Sequence, residues 1–356
     1  MRKLAAAVAA ALLSLATPAE ADDAADLAAA YMRSAQLENG FFRYEYDFIA
    51  GKWSRKDNIV RQAGAAFGLA IYHHQRPHEP SRQAVERALT ALAQISIPYG
   101  DGLLISNDGS LRQAKTGATA LALAAAVLAG IDSAPIQGWR DGLLALQRPD
   151  GRFQQSAVKP DPIGYYDGET WLALALLAAR DGGSEFAAAL AKADEGMIEA
   201  YGRTADVTFY HWGQLASAAR FGRTQDPRFV GFAAAQTELF LEETRPAVST
   251  NSNSCYSLEG MAAAYALVRT DPRLAPLTER IGERLEQEMA HNLSIQVQPG
   301  QTSLTLRNGA ELVAAELPDF AGAFLNGRLR LQTRIDATQH CLAAMLQLSA
   351  LGFALD

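Results

Sequence analysis

The sequence predicts an all-α fold, an (α/α)6 toroid of alternating inner and outer helices. Alanine- and leucine-rich segments with helical spacing alternate with short loops bearing Gly, Pro, Asp and Asn. Six of these segments begin alike, with a polar or glycine-containing cluster before a stretch of small apolar residues. A helix that is apolar on nearly every side must be buried all round, whereas an amphipathic partner can lie outside it. Six such pairs indicate a closed ring.

The six predicted inner helices are spaced so that a second helix fits between them. Successive starts lie about 45 to 60 residues apart, except for about 80 before the last. The segments that begin at Pro80 and Pro272 are examples of amphipathic outer helices. The predicted inner helices start near Lys56, Lys115, Tyr165, Phe209, Asn253 and Arg334.

A β-rich insertion accounts for the extra length before the sixth inner helix. In residues 293–317, β-branched and polar residues alternate around two turn signals, Pro-Gly and Asn-Gly. Shorter hairpins are predicted in the segments from Gly40 and from Gly100. Because all three lead into an inner helix, we expect them on one rim of the ring.

The first 21 residues predict a secretory signal peptide, followed by one toroid domain over residues 22–356. Two cations precede a short apolar run and an A-x-A-like cleavage site. That run is too short to span a bilayer, and no later stretch is long and apolar enough. We therefore expect a periplasmic or secreted protein with no membrane span after signal cleavage.

The net charge argues against one class of partner, and the cysteine content predicts a disulfide. The formal net charge is −7 and no basic stripe occurs, which argues against a nucleic-acid partner. In an exported protein the two cysteines, Cys255 and Cys341, are most simply a disulfide. A metal site that includes them is the alternative. The sequence leaves the oligomeric state open.

Two turns carry a family resemblance. The segments QLENGFF from Gln36 and QRPDGRF from Gln147 share the form Q-x3-G-x-F. They resemble the QW repeats of the terpenoid cyclase and prenyltransferase toroid superfamily, with Phe in place of the usual Trp. The resemblance implies that the glutamine and the aromatic residue tie neighbouring helix pairs together. The cyclases' D-x-D-D motif is absent, which argues against terpene cyclisation.

A second resemblance concerns metal binding. The segment NSCYS at 253–257, with the later His340 and Cys341, is similar to the zinc-binding segments of protein prenyltransferase β-subunits. Asn253 stands where that family has an aspartate ligand, and the His-Cys order is the reverse of the lanthipeptide cyclases' Cys-His. We therefore expect no cofactor, and a zinc-dependent toroid enzyme with zinc at Cys255, His340 and Cys341 is the alternative.

A third resemblance covers the whole mature chain. Exported chains of this size with six helix pairs are similar in organisation to (α/α)6 glycoside hydrolases, polysaccharide lyases and exopolysaccharide-biosynthesis proteins. This similarity implies a carbohydrate substrate. No diagnostic motif of one such family occurs, so a non-catalytic glycan- or peptide-binding envelope protein is an alternative from another class.

The polar starts of the inner helices predict a site at one mouth of the ring. If the six helices run parallel, their N-terminal turns converge and favour an anionic ligand. The candidate catalytic residues are Glu169, Asp57, Asp336, His340 and His211. The candidate substrate-binding residues are Arg61, Gln62, Lys115, Tyr166, Asp167, Gln214, Asn253 and Glu259. The aromatic residues available to stack on sugars, or to pack the rim, are Trp53, Tyr165, Tyr166, Trp171, Tyr210 and Trp212.

Hydrolysis of a polysaccharide or oligosaccharide is the leading hypothesis. It requires two carboxyl groups that flank the sugar, and Glu169 as acid with Asp57 or Asp336 as base meets this requirement. Asp336 and His340 lie four residues apart, so their spacing also predicts an Asp–His pair. The aspartates could instead cap helices, and His340 could be a core histidine.

A lyase acting on uronate polymers is the second enzymatic hypothesis. Such a site needs a group that neutralises the carboxylate and a base that takes the C5 proton. The neutralising candidates are Arg61, Asn58 and Gln62, and the candidate bases are Tyr210, His211 and Tyr166.

Overall fold

The computed structural model describes residues 21–306 and 308–355. The predicted signal peptide lies outside this part of the chain, apart from Ala21, at which the first described helix begins. In chain order the α-helices are α1 (Ala21–Ser34), α2 (Ile59–Gln75), α3 (Glu79–Gln94), α4 (Thr116–Ala129), α5 (Ile136–Leu144), α6 (Gly164–Asp181), α7 (Ala187–Tyr201), α8 (Val207–Thr224), α9 (Pro227–Leu239), α10 (Cys255–Val268), α11 (Ala275–Leu293) and α12 (Ile335–Leu351).

The even-numbered helices form the predicted inner ring. Each packs against the next, and α12 packs against α2, which closes the ring. In α4, every residue except Leu128 is buried, as expected for a helix enclosed on all sides. The odd-numbered helices lie outside and pack on the inner ones. The predicted all-α (α/α)6 toroid is confirmed.

Local signals in the sequence set the helix ends. The side chain of Asn58 accepts a hydrogen bond from the Val60 amide at the start of α2, and Asp206 caps α8 in the same way. Helices α4 and α6 end at Gly130 and Gly182, which adopt the left-handed conformation. All six inner helices start within three residues of their predicted positions.

Short antiparallel strands decorate the ring. They are β1 (Glu45–Asp47), β2 (Lys52–Trp53), β3 (Ser96–Tyr99), β4 (Gly102–Ile105), β5 (Ser303–Thr305), β6 (Glu311–Val313), β7 (Leu325–Gly327) and β8 (Arg330–Arg334). Strands β3 and β4 form one hairpin, β5 and β6 form another, and a four-stranded sheet has the order β2-β1-β8-β7. Strand β8 leads directly into α12, so this sheet lies at the start of an inner helix.

The three predicted β segments are present, with differences in detail. The hairpin after Gly40 is β1–β2, and the 293–317 insertion contains β5–β6. The prediction from Gly100 missed strand β3, which comes before that glycine. Strands β7 and β8 were not predicted. They are short, so few residues alternate in them, and they follow a 3-10 helix at Leu317–Phe320.

The two Q-x3-G-x-F turns join neighbouring helix pairs. Gln36 donates from Nε2 to the carbonyls of Gly40 and of Ala84 in α3, at 3.0 and 2.8 Å. Gln147 donates to the carbonyls of Gly151 and of Ala189 in α7, at 3.3 and 2.8 Å. Each glutamine thus links its own turn to the next outer helix, as the resemblance to QW repeats implies.

A third turn of the same kind closes the outer layer. Gln296 donates to the carbonyls of Gly322 and of Ala24 in α1, at 3.3 and 2.8 Å, and pairs with Phe324 through a β-bridge. The glycine has a positive φ of 93°, which a residue with a side chain rarely adopts. The β5–β6 insertion separates this glutamine from its glycine, so the turn has no sequence signature.

The predicted disulfide joins two adjacent inner helices. Cys255 is the first residue of α10 and Cys341 lies in α12, and their Sγ atoms are bonded at 1.96 Å. Both residues are fully buried. Among the described helices, none is long and apolar enough to cross a membrane.

Candidate active site

The inner helices run parallel, and residues at the same depth in neighbouring helices lie against one another. Gly64, the sixth residue of α2, lies against Gln339, the fifth of α12. Gly168 of α6 lies against Trp212 of α8, again about one turn into each helix. The N-terminal turns therefore converge at one end of the ring, where the sequence predicted the site.

A buried cluster of three ionisable side chains lies at this depth. His211 of α8, Glu259 of α10 and His340 of α12 come from three consecutive inner helices. The nearer oxygen, Oε2 of Glu259, lies 2.8 Å from Nε2 of His211 and 2.8 Å from Nδ1 of His340. Gly260 lets α8 and α10 approach, because a Cβ there would lie 2.8 Å from the Cα of His211.

The cluster holds an ionised carboxylate. Burial alone would raise the pKa of Glu259, but the adjacent imidazoles of His211 and His340 lower it to about 2. Burial lowers the pKa of His211, so this imidazole is neutral near pH 7. Since an ionised carboxylate only accepts hydrogen bonds, Nδ1 of His340 donates to it, and Nε2 lies on the opposite side of the ring.

Glu169 is a second buried carboxyl group, in the opposite electrostatic state. It lies on α6, is 3% exposed, and its Oε2 makes no hydrogen bond with any residue that the structure describes. Burial without a compensating cation raises its pKa well above the usual value, which favours the protonated form. Its carboxyl lies against Gly117 of α4, as does the Tyr166 ring, where a Cβ would be 2.6 Å from Cδ1.

Aromatic rings pack beside the histidine cluster. The Tyr256 ring lies 4.3 Å from that of His211 and 5.0 Å from that of His340, measured between centroids. Burial raises the pKa of Tyr256 well above its usual value, and the charges of Glu169 and Glu259 both contribute. Tyr165, which is 41% exposed, extends this aromatic wall towards solvent with its centroid 6.1 Å from that of Tyr256.

Buried polar atoms without partners concentrate in the same region. Leaving a buried polar atom unpaired costs about 1 to 3 kcal/mol, so such a concentration in a native fold calls for a ligand or water. Apart from Thr170 and Thr333, the described residues that carry such atoms are Glu169, His211, Trp212, Gln214, Glu259 and Gln339. They come from the N-terminal parts of four inner helices, and a ligand rich in hydroxyl groups, or water, would satisfy them.

The predicted Asp336–His340 pair is wrong. Asp336 binds Arg61 of α2, with Nε and Oδ2 2.9 Å apart, and also binds Arg334. Arg61 additionally donates to the hydroxyl of Tyr44. A cation from a neighbouring helix therefore neutralises Asp336, and His340 turns to Glu259 instead.

The residues predicted to neutralise a uronate are bonded within the protein. Gln62 binds the backbone amide and carbonyl of Phe42 and donates to Asp57. Asp57 also accepts from the Asn58 amide, so its carboxylate organises the start of α2. Asn58 caps this helix, and Arg61 is paired with Asp336.

Two other candidates, Asp167 and Asn253, have structural partners, and a third, Lys115, lies at the surface. Asp167 is fully buried and accepts hydrogen bonds from the Phe153 amide, Arg152 and Tyr201, although burial raises its pKa. Asn253 hydrogen-bonds the Cys255 amide, the Leu325 carbonyl and Cys341 Sγ, beside the disulfide. Lys115 lines a surface cavity at the start of α4. Among the aromatic candidates, Trp171 and Tyr210 are core residues, and Trp53 packs on Phe320 at the rim.

The same geometry identifies the groups that could hold a metal. In the part of the chain that the structure describes, one cluster offers three ligand atoms, from His211, Glu259 and His340, all within 4.8 Å of one another. A metal there would have to replace the proton on Nδ1 of His340. Cys255 and Cys341 are bonded to each other, so neither sulfur is the thiolate that a zinc site needs.

Sequence reasoning placed Glu259 among the binding residues and missed its central position, as well as Tyr256 and Gly117. Tyr256 and Glu259 are three apart and share a face of α10. That spacing was the available signal. No signal in the sequence marks Gly117, because its role depends on the Glu169 side chain from the next inner helix.

The fold and this cluster define the chain as an (α/α)6 toroid with a His–Glu–His cluster at the converging helix N-termini. No protein-family model matches the sequence. No curated protein matches it either.

Solved structures share the fold over nearly the whole chain. A D-mannose isomerase aligns with a TM-score of 0.65 at 11% identity, over 94% of this chain and 99% of that one. The GH76A α-1,6-mannanase of Salegentibacter sp. HEL1_6 aligns with a TM-score of 0.65 at 9% identity, over 93% and 100%. The cellulase Cel9M of C. cellulolyticum aligns with a TM-score of 0.62 at 10% identity, over 95% and 100%. Likeness at such low identity shows the fold alone.

Proposed function

We propose that this protein is a glycan-active enzyme that hydrolyses a glycosidic bond, with Glu169 as general acid and His340 as general base. One observation carries the proposal. Two buried carboxyl groups at the same end of the ring have pKa values pushed in opposite directions, that of Glu169 up and that of Glu259 down. Such separation assigns acid and base roles within one site.

Glu169 has the properties required of the acid. Burial raises its pKa and so favours the protonated form, and its Oε2 is free of hydrogen bonds to the described residues. In the proposed step this proton goes to the oxygen of the leaving sugar as the bond between that oxygen and the anomeric carbon breaks.

His340 supplies the base through the atom that faces away from Glu259. The carboxylate of Glu259 fixes the imidazole so that Nδ1 carries the proton and Nε2 accepts one. A water that gives its proton to Nε2 then forms the new bond to the anomeric carbon from the opposite face. This single displacement inverts the anomeric configuration. Glu259, which is fully buried, acts as the positioning residue.

The surrounding side chains suit a sugar. Tyr165 presents an exposed ring for stacking, and the amide of Gln214 has both polar atoms free of described partners. The three compared structures are those of a mannose isomerase, a mannanase and a cellulase, which supports a carbohydrate as the substrate class. The predicted signal sequence and the disulfide support an exported protein that works in the periplasm or outside the cell.

The test is the release of new reducing ends from a panel of neutral and acidic oligosaccharides, including α-1,6-mannotetraose and cellotetraose. We expect Glu169→Gln and His340→Gln each to lower kcat by at least about 100-fold. We expect Glu286→Gln, an exposed residue of α11, to have no effect. NMR of the first product should show the inverted anomer. A turnover unchanged in Glu169→Gln, or a retained anomer, would overturn the assignment.

Isomerisation of a free sugar is a second candidate, favoured by one observation. Two imidazoles, those of His211 and His340, lie with ring centroids 5.0 Å apart around Glu259. A base at this position could move a proton between neighbouring carbons of an open-chain aldose, and one of the compared structures is a D-mannose isomerase. Deuterium incorporation at C2 from D2O, without new reducing ends, would identify this reaction.

A further inference from the structure

A cavity lined by cations lies at the start of α4. It has a volume of about 420 Å³, within the range of pockets that hold small ligands. Two loops form it, one before α4 and one between α5 and α6. Its lining residues are Arg112, Gln113, Lys115, Val158 and Lys159.

The charge of this cavity is opposite to that of the whole chain. The chain has a net charge of −7, whereas the charged residues of the lining are Arg112, Lys115 and Lys159. None of the three forms a salt bridge with a residue in 21–306 or 308–355. Mutual repulsion of three uncompensated cations is relieved when an anion binds between them.

The two loops are held in place by the backbone. Thr116 donates from Oγ1 to the Gln154 carbonyl at 2.6 Å and from its amide to the Gln155 carbonyl at 3.2 Å. Each loop also contains its own β-bridge, between Ser106 and Ala114 in one and Ser156 and Lys159 in the other. The cations are therefore presented on ordered backbone, which lowers the entropic cost of ligand binding.

One lining residue of the cavity, Lys115, is close in sequence to a residue beside Glu169. Lys115 precedes Gly117 by two residues, so their Cα atoms are at most about 7 Å apart. Gly117 lies against the carboxyl of Glu169. A glycan with its reacting bond at Glu169 that extends towards the start of α4 would place a neighbouring unit within reach of Lys115.

We propose that this cavity is an anion subsite that binds the acidic group of a glycan, a carboxylate or a sulfate or phosphate ester. The inference rests on the proposed function for the position of the reacting bond, but binding itself does not depend on it. Arg112 supplies a planar donor pair, and Lys115 and Lys159 supply point charges. The subsite makes an acidic polysaccharide the preferred substrate.

The experiment measures binding to the full chain by ligand-observed NMR. The probes are glucuronate, glucose 6-sulfate and glucose 6-phosphate, with glucose as the neutral reference. We expect the anionic sugars to bind at least fivefold more tightly than glucose at low salt, and this preference to fall as salt rises. Comparison of the three anions identifies the source of the acidic group.

Variants separate this site from the catalytic one. The double variant Arg112→Gln/Lys159→Gln alters exposed residues and should lower the affinity for the anionic probes by at least fivefold. Arg330→Gln, an exposed cation of β8, is the matched control and should not change it. Glu169→Gln should bind the probes normally. If anions bind no more tightly than glucose, or if the double variant binds them like wild type, the subsite is refuted. Loss of turnover in Glu169→Gln with normal anion binding tests the proposed function alone.

Discussion

Gly117→Ala should lower kcat strongly while leaving the fold intact. The added Cβ would lie 2.6 Å from Cδ1 of Tyr166 and closer still to Oε2 of Glu169. To reach an ordinary contact of 3.4 Å, the tyrosine ring must move by at least about 0.8 Å and the carboxyl by more. Because misplacing a reacting group by about 1 Å can cost about 100-fold in rate, we expect kcat to fall by about that factor.

Stability should move little in the same variant. Alanine is favoured over glycine within a helix by up to about 1 kcal/mol, which offsets part of the clash. Gly231→Ala in α9 is the matched control, since a Cβ there meets no atom within 4 Å. It should raise the unfolding free energy slightly and leave turnover unchanged. Turnover of Gly117→Ala within twofold of wild type, with thermal unfolding unchanged, would refute the placement of Glu169.

Three further predictions concern stability. The pKa of Glu169 is raised in the folded state, so this residue destabilises the fold as the pH rises above about 4.5. The pKa of Glu259 in the folded state is about 2, so this residue stabilises the fold above about pH 4.5, and that stabilisation is lost as the pH falls towards 2. In urea unfolding at pH 7, Glu169→Gln should therefore raise the unfolding free energy and Glu259→Gln should lower it. The increase in Glu169→Gln should vanish at pH 4. A change of the same sign in both variants would contradict this electrostatic assignment. Reduction of the disulfide, whose cysteines are 86 residues apart, should lower the unfolding free energy by about 4 kcal/mol. The measurement compares urea midpoints with and without reductant. Unchanged midpoints, with two titratable thiols after reduction, would contradict this stabilising role. Asp167→Asn should lower the unfolding free energy by about 1 to 3 kcal/mol without changing kcat, because its partners Phe153, Arg152 and Tyr201 are structural. A loss of kcat at unchanged stability would place Asp167 in the active site instead.

The ring was predictable because its signals are local. Burial on all sides and polar helix starts can be read within one segment, and the observed start of α12 at Ile335 is one residue from the predicted Arg334. The turn at Gln296 was not predictable, because the β5–β6 insertion separates the glutamine from Gly322. The pattern of that turn exists only after folding.

The sequence predicts which polar residues lie at the helix starts, but not how these residues pair. Spacing places Asp336 and His340 on one helix face, but it cannot show that Arg61 of α2 reaches Asp336. Spacing also cannot show that the imidazole of His340 hydrogen-bonds to Glu259, which lies 81 residues earlier in the chain. Pairing between helices depends on how closely they approach, and glycines such as Gly260 set that distance.

The disulfide and the acid–base cluster join the same two helices. Cys255 lies one turn before Glu259 on α10, and Cys341 follows His340 directly on α12. The covalent bond holds the two Cα atoms 4.8 Å apart, beside the 2.8 Å contact between Glu259 and His340. A site that depends on one hydrogen bond between helices needs its supporting elements fixed to within about 0.5 Å. The bond that contributes to global stability therefore also orients the imidazole, and this gives a physical reason for the cysteines to lie where the ring meets the site.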